Sequence, residues 1–214
     1  MLESLRSSFK RVIAPIAKLL VRLGVSANAV TIVGTLAVVV TAFVTAFTGQ
    51  LIVGTVLLTI FVLADGLDGS VAALTTGGTK FGAFLDSTLD RIADWSLFMT
   101  VCICLCRASN KSVCTWIPSV LGMLLKYAGL LSCMVALMAA FVTSYARARG
   151  QSISVDPSIG LITRADRVAV ILVAMGLSGI THQLFWLSCA MILLAIGGII
   201  TVFQRIIAVK QGLE

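Results

Sequence analysis

Charge is scarce in this sequence: Asp, Glu, Lys and Arg together make up 12% of its residues, about half the share found in soluble domains. Histidine occurs once, proline three times, and no Cys-x-x-Cys pair is present. So little charge cannot cover a water-facing surface, which excludes an ordinary soluble fold. The apolar runs also lack the polar alternation of a membrane barrel strand, so a β-barrel is excluded too. The six cysteines offer no common metal face. Cys102, Cys104, Cys106, Cys133 and Cys189 fall inside apolar runs and read as packing residues, and a Cys106–Cys114 bridge is the one pairing the spacing leaves open.

What the chain has in abundance is apolar sequence: 59% hydrophobic residues and a mean hydropathy of +1.08. The residues gather into runs of about 20, the length at which a helix crosses roughly 30 Å of hydrocarbon. Six such runs lie at 28–47, 52–75, 81–106, 117–146, 165–181 and 184–205. They predict an all-α membrane bundle over 28–205, one domain covering residues 1–214. Residues 1–22 differ. Leu5, Phe9, Val12, Ile13, Ile16, Leu19 and Leu20 form one stripe among Arg6, Lys10, Arg11, Lys18 and Arg22, the pattern of an amphipathic helix lying on an anionic leaflet.

A net charge of +7 invites a nucleic-acid partner, but the basic residues sort by membrane side. With the amino terminus inside, one face collects Arg6, Lys10, Arg11, Lys18, Arg22, Lys80, Arg147, Arg149, Arg164, Arg167, Arg205 and Lys210, whereas the outer loops hold Arg107 and Lys111. That asymmetry places both termini in the cytoplasm of a multi-pass cell-membrane protein and argues against nucleic acid. The single histidine, His182, falls in a loop on the opposite side.

Five aspartates, Asp65, Asp68, Asp86, Asp90 and Asp94, interrupt the second and third runs. Each carboxylate at bilayer depth costs roughly 2.5–3.5 kcal/mol, so five together cost about as much as a whole domain's stability. Their spacing offers a reason. Asp65 and Asp68 are i,i+3, and Asp86, Asp90 and Asp94 are i,i+4, so each set forms one helical stripe. A short loop, residues 75–80, makes the two helices antiparallel neighbours whose stripes can face each other. Clustered like charges repel unless a cation sits among them, and oxygen-only ligands select a hard ion such as Mg²⁺ or Mn²⁺. Such an ion beside glycines that leave the backbone open (Gly66, Gly69, Gly82, with Ala72) points to phosphoryl transfer.

The segment DGLDGSVAALTTGGTKFGAFLDSTLD, residues 65–90, resembles the signature of the CDP-alcohol phosphatidyltransferases. Asp65, Asp68, Gly69, Ala72, Gly82, Asp86 and Asp90 stand at the pattern's spacings, while Ala73 stands where the pattern has arginine. The resemblance implies two metal ions on Asp65, Asp68, Asp86 and Asp90, with Asp90 also taking the acceptor's proton. It further implies a CDP-lipid site near Thr31, Gly69, Ala72, Lys80 and Gly82, six spans, an interfacial first helix and a homodimer.

The stretches VRLGVSANAVTIVGT, SYARARG and GLITRADR are similar to the actinobacterial phosphatidylinositol-phosphate synthases within that family. This implies CDP-diacylglycerol as donor and a phosphorylated polyol, inositol phosphate, as acceptor, with Arg147, Arg149, Arg164 and Arg167 around its phosphate. Guanidinium groups suit phosphate by bidentate geometry. Glycerol 3-phosphate would favour the same arginines. A cation-coupled transporter would instead spread its carboxylates along a path near the midplane, and an intramembrane aspartyl protease needs only two.

Overall fold

The structure, a computed structural model, describes residues 15, 18–64, 78–109 and 113–213. Within them the chain is helical and contains no strand. Six helices follow one another: α1 Ala27–Thr48, α2 Leu51–Ala64, α3 Lys80–Arg107, α4 Ser119–Ser152, α5 Arg164–Thr181 and α6 Phe185–Leu213. Each expected run coincides with one of them. The differences lie at the ends, where α4 and α6 continue beyond their apolar stretches through polar turns carrying Arg147, Arg149 and Lys210. The expected second run continues to residue 75, and its part beyond Ala64 lies outside the described residues, as does most of the amphipathic segment 1–22.

By length and hydropathy α1, α4 and α6 are each able to cross a bilayer. The other three depart for visible reasons. α3 carries its aspartates and arginines, α5 holds Arg164, Asp166 and Arg167 within 18 residues, and α2 is described over 14 residues.

Contacts divide the chain into two units, one within Met1–Ala42 and Val56–Ser96, the other within Phe43–Thr55 and Leu97–Glu214. In the first, Ser26 and Thr79 start helices. The Ser26 hydroxyl accepts from the Ala29 amide at 3.2 Å and the Thr79 hydroxyl from the Gly82 amide at 2.9 Å, satisfying donors a helix start leaves free. Thr79 thereby fixes the start of α3, the helix bearing Asp86, Asp90 and Asp94.

The second unit is organised by residue size. Along α4, Gly129, Cys133, Ala136, Ala140 and Thr143 are buried, whereas Leu124, Leu131, Met138 and Tyr145 are exposed. Small residues thus face neighbouring helices, Gly129 and Ala139 against α6 and Cys133 against the Phe98 carbonyl of α3, and large apolar ones face outward. This is the arrangement expected where lipid removes any hydrophobic gain from burial, so that close backbone approach holds helices together. A methyl group on Gly129 would meet the Ser188 Cα at 3.0 Å, and one on Gly198 would meet the Ala139 Cβ at 2.9 Å. All six cysteines are free. The Cys106–Cys114 bridge does not form, because Cys114 is buried while Cys106 lies on the exposed face of α3.

Candidate active site

Three of the five expected aspartates are described, all on α3. Successive i,i+4 steps put Asp86, Asp90 and Asp94 on one face. Their environments differ along that face: Asp86 and Asp90 are half-buried, and Asp94, one turn further on, is 3% exposed. Asp90 has a cationic neighbour the sequence reading did not assign, Arg91, whose guanidinium stands 3.6 Å from the Asp90 carboxylate. Adjacent residues on a helix point about 100° apart, so Arg91 reaches the carboxylate from the flank and leaves the shared face to the aspartates. Asp65, Asp68, Gly69 and Ala72 lie outside the described residues.

Three residues expected near the nucleotide lipid are described in the same unit. Thr31 is buried on α1, where its hydroxyl donates to the Ala27 carbonyl at 3.0 Å. Lys80 is the exposed first residue of α3. Gly82 lies so close to α1 that an added Cβ would come within 3.2 Å of the Asn28 side-chain oxygen. The absence of a side chain at Gly82 is therefore used for close approach of two helices. Asn28 was not singled out in the sequence, where a lone polar residue near a helix start reads as a cap.

The four arginines belong to the second unit and are not equivalent. Arg147 and Arg149 are exposed on the last turns of α4. Arg147 lies 3.7 Å from Asp156, and Arg149 donates to the Ser152 hydroxyl at 3.3 Å. Arg164 opens α5 half-buried, and Arg167 is 7% exposed. The start of α5 is a reciprocal cap. The Asp166 carboxylate accepts from the Thr163 amide at 2.8 Å and from its hydroxyl at 2.7 Å. In return the Thr163 hydroxyl accepts from the Asp166 amide at 3.4 Å. The Arg167 Nε then donates to the Thr163 carbonyl at 3.4 Å. The signal was present as Thr-x-x-Asp before an apolar run.

The loop before α5 is tied down from α6. Its Leu161 amide donates to the Gln204 side chain at 2.8 Å and its Ile162 amide to the Thr201 hydroxyl at 3.0 Å, while Arg205 Nε donates to the Ile159 carbonyl at 3.0 Å. Arg205 also donates to the Thr143 carbonyl of α4. His182, expected in a loop, is exposed and terminates α5 in the left-handed region. Among the described residues no three His, Cys, Asp or Glu side chains form a metal-holding group.

The family model for CDP-alcohol phosphatidyltransferase matches residues 24–203. The chain belongs to that family. It is therefore a transferase and a multi-pass membrane protein, which leaves the transporter and protease alternatives without support. The phosphatidylinositol phosphate synthase of Cutibacterium acnes is 34% identical over the whole of both chains. That of Corynebacterium glutamicum is 36% identical over 92% of this chain and 83% of its own. Among solved structures, the phosphatidylinositol phosphate synthase of Mycobacterium tuberculosis with CDP-DAG bound superposes with a TM-score of 0.81 at 32% identity, covering 93% of this chain and 94% of that one. The same enzyme in complex with manganese and citrate gives a TM-score of 0.79.

Proposed function

We propose that this enzyme transfers the phosphatidyl group of CDP-diacylglycerol to inositol phosphate, releasing CMP and leaving a phosphatidylinositol phosphate in the bilayer. The full-length likeness to phosphatidylinositol phosphate synthases carries the reading, and the intact aspartate signature agrees with it. The donor set suits hard divalent cations, since it is made of carboxylate oxygens alone. Asp65, Asp68, Asp86 and Asp90 would hold two ions, Mg²⁺ or Mn²⁺. Bound there, the ions supply charge neutralisation at the pyrophosphate and at the departing CMP.

The chain's own residues do the rest. Arg164 and Arg167, supported by Arg147 and Arg149, bind the phosphate of the acceptor and orient its hydroxyl. Asp90 accepts the proton of that hydroxyl, and the flanking Arg91, 3.6 Å away, steadies the orientation of the carboxylate. The acceptor oxygen then attacks the lipid-linked phosphorus, and the bond from that phosphorus to the CMP oxygen breaks. Thr31, Gly69, Ala72, Lys80 and Gly82 line the CDP-lipid's place. No side-chain nucleophile is needed.

The same reading covers the setting. The protein is one domain of six spans with an interfacial helix over residues 1–22, sits in the cell membrane with the site and both termini cytoplasmic, and works as a homodimer. The deciding experiment supplies purified enzyme with CDP-diacylglycerol, Mg²⁺ or Mn²⁺, and either inositol phosphate or glycerol 3-phosphate, and follows CMP release. Faster release with glycerol 3-phosphate would overturn the acceptor assignment.

A further inference from the structure

The segment between α4 and α5 is a strap laid along α6. It begins where α4 ends in a turn that reverses the chain. The Val155 amide donates to the Gly150 carbonyl at 3.0 Å and the Ser154 amide to the Gln151 carbonyl at 3.1 Å, with Ser154 in the left-handed region at φ 64°. Those two bonds make a Schellman turn, which closes the helix and sets the direction of the residues that follow. Pro157 keeps the next stretch extended, because its ring fixes its own φ and pushes Asp156 away from helical geometry.

From the turn onward the strap follows α6 in the opposite sense. Val155 lies against Gly212, the Ile159 carbonyl accepts from Arg205, and the Ile162 amide donates to the Thr201 hydroxyl while its side chain covers Gly197. The seven residue steps from Val155 to Ile162 reach at most about 23–25 Å. The helix beneath them, from Gly212 back to Gly197, rises roughly 22–23 Å. The strap is therefore drawn out with little slack, and a displacement at one end passes to the other. Arginines stand at both ends. Arg147 and Arg149 precede the turn, with Arg147 3.7 Å from Asp156 of the strap, and Arg164 and Arg167 follow Thr163 at the start of α5. Gly212 marks the far end of the register. A Cβ there would come within 2.7 Å of the Val155 Cγ1 and 3.4 Å of its Cγ2, closer than carbon atoms pack.

We infer, on the reading that these four arginines bind the acceptor's phosphate, that Gly212 and Val155 are positioning residues. Their contact seats the start of the strap on α6 and so fixes the spacing of Arg147 and Arg149 from Arg164 and Arg167. Both act through the strap, and the acceptor's affinity is the property they set.

The test uses the full-length enzyme, with CMP release measured at varied inositol phosphate and, separately, at varied CDP-diacylglycerol. Gly212→Ala adds the methyl group for which Val155 leaves no room, and alanine suits a helix better than glycine, so α6 itself is not weakened. The acceptor's KM should rise about fivefold, at the low end of overpacking effects, with kcat and the donor's KM at wild-type values. Val155→Ala in the same chain removes both methyls and should return the acceptor's KM to within about twofold of wild type, as coupled neighbours do. A merely structural contact would instead lower the unfolding temperature and the use of both substrates together. The contact itself has an independent check. The Cβ position at Gly212 lies 3.7 Å from the Val155 Cβ, the separation a disulfide takes. Val155→Cys combined with Gly212→Cys should therefore cross-link on treatment with diamide, seen by mass spectrometry as a linked peptide pair. Failure to cross-link, an unmoved acceptor KM in Gly212→Ala, equal rises for both substrates, or no rescue by Val155→Ala would each overturn the proposal. A wild-type acceptor KM in Arg164→Ala and Arg167→Ala would remove the acceptor reading and this role with it, while the cross-link would still form.

Discussion

Removing the carboxylate of Asp166 isolates what the cap of α5 contributes to acceptor binding. In Asp166→Ala two accepted hydrogen bonds disappear, from the Thr163 amide at 2.8 Å and from its hydroxyl at 2.7 Å. Each is worth about 0.5–1.5 kcal/mol net, and whole caps measure about 0.5–2 kcal/mol. Asp166 and Thr163 are both exposed, so water recovers part of the loss and about 1 kcal/mol is the figure to expect. At 1.4 kcal/mol per decade, the first turn's unfolding equilibrium shifts about fivefold. Arg164 and Arg167 lie in that turn, and an apparent binding constant rises only in proportion to the competent fraction lost. Fivefold is therefore a ceiling on the increase in the acceptor's apparent KM, approached only as far as the turn is already open in the wild type. The KM for CDP-diacylglycerol should stay put.

The assay is CMP release at varied inositol phosphate with the donor lipid saturating, then the reverse. Thr163→Ala should also weaken acceptor use, and the double variant should fall short of the sum of the single effects, because both substitutions break the bond from the Thr163 hydroxyl to the Asp166 carboxylate. An increase beyond tenfold for Asp166→Ala would mean that the carboxylate touches substrate or its metal. Strict additivity with Thr163→Ala would mean that the two residues act separately, and either result refutes the cap as the source.

Asp68→Asn and Asp86→Asn should abolish transfer with expression unchanged, since an amide keeps the shape and weakens the ligand; Asp94→Asn, buried one turn beyond, should keep much of the activity. Ala73→Arg restores the family's cation and should lower the apparent KM for the CDP lipid; an unchanged constant in the same release assay would show a site rebuilt around alanine. Arg164→Ala and Arg167→Ala should each weaken acceptor use about ten- to hundredfold, one charge-assisted bond of about 1.5–3 kcal/mol. Lys210→Ala, exposed at the end of α6, is the control and should leave acceptor saturation curves unmoved.

The positions of the helices were legible because lipid imposes a length and demands internal hydrogen bonding, so apolar runs of about 20 residues map directly onto elements. The stripe of Asp86, Asp90 and Asp94 was legible for the same reason, since helical periodicity alone sets it. What periodicity cannot convey is the contact of residues far apart in sequence. Nothing in the local sequence marks Gly129 as the partner of Ser188, or Lys126 as the side chain that reaches the Ala108 carbonyl at 2.7 Å at the end of α3. Nor does a count of arginines separate buried Arg167 from exposed Arg147. All four read equally as cytoplasmic charge, and only their packing distinguishes them.

Arg205 shows the same gap most sharply. On sequence it is one more basic residue on the inner face, suited to serve as a neutral control for the acceptor arginines. In the fold it lies one turn from Thr201 and beside Gln204, a spacing that presents all three on one face of α6. That face receives the Ile159, Leu161 and Ile162 backbone groups of the loop before α5, groups that a loop lacks the regular structure to satisfy for itself. Arg205 reaches both this loop and the Thr143 carbonyl of α4, so it ties together the segments on either side of Arg147, Arg149, Arg164 and Arg167. Arg205→Ala would remove the donor to the exposed Ile159 carbonyl and to the part-buried Thr143 carbonyl, hydrogen bonds worth about 0.5–1.5 kcal/mol net each. It should lower thermal stability and acceptor use together. An Arg205→Ala enzyme with wild-type unfolding temperature and wild-type acceptor KM would show that the loop holds its shape without α6.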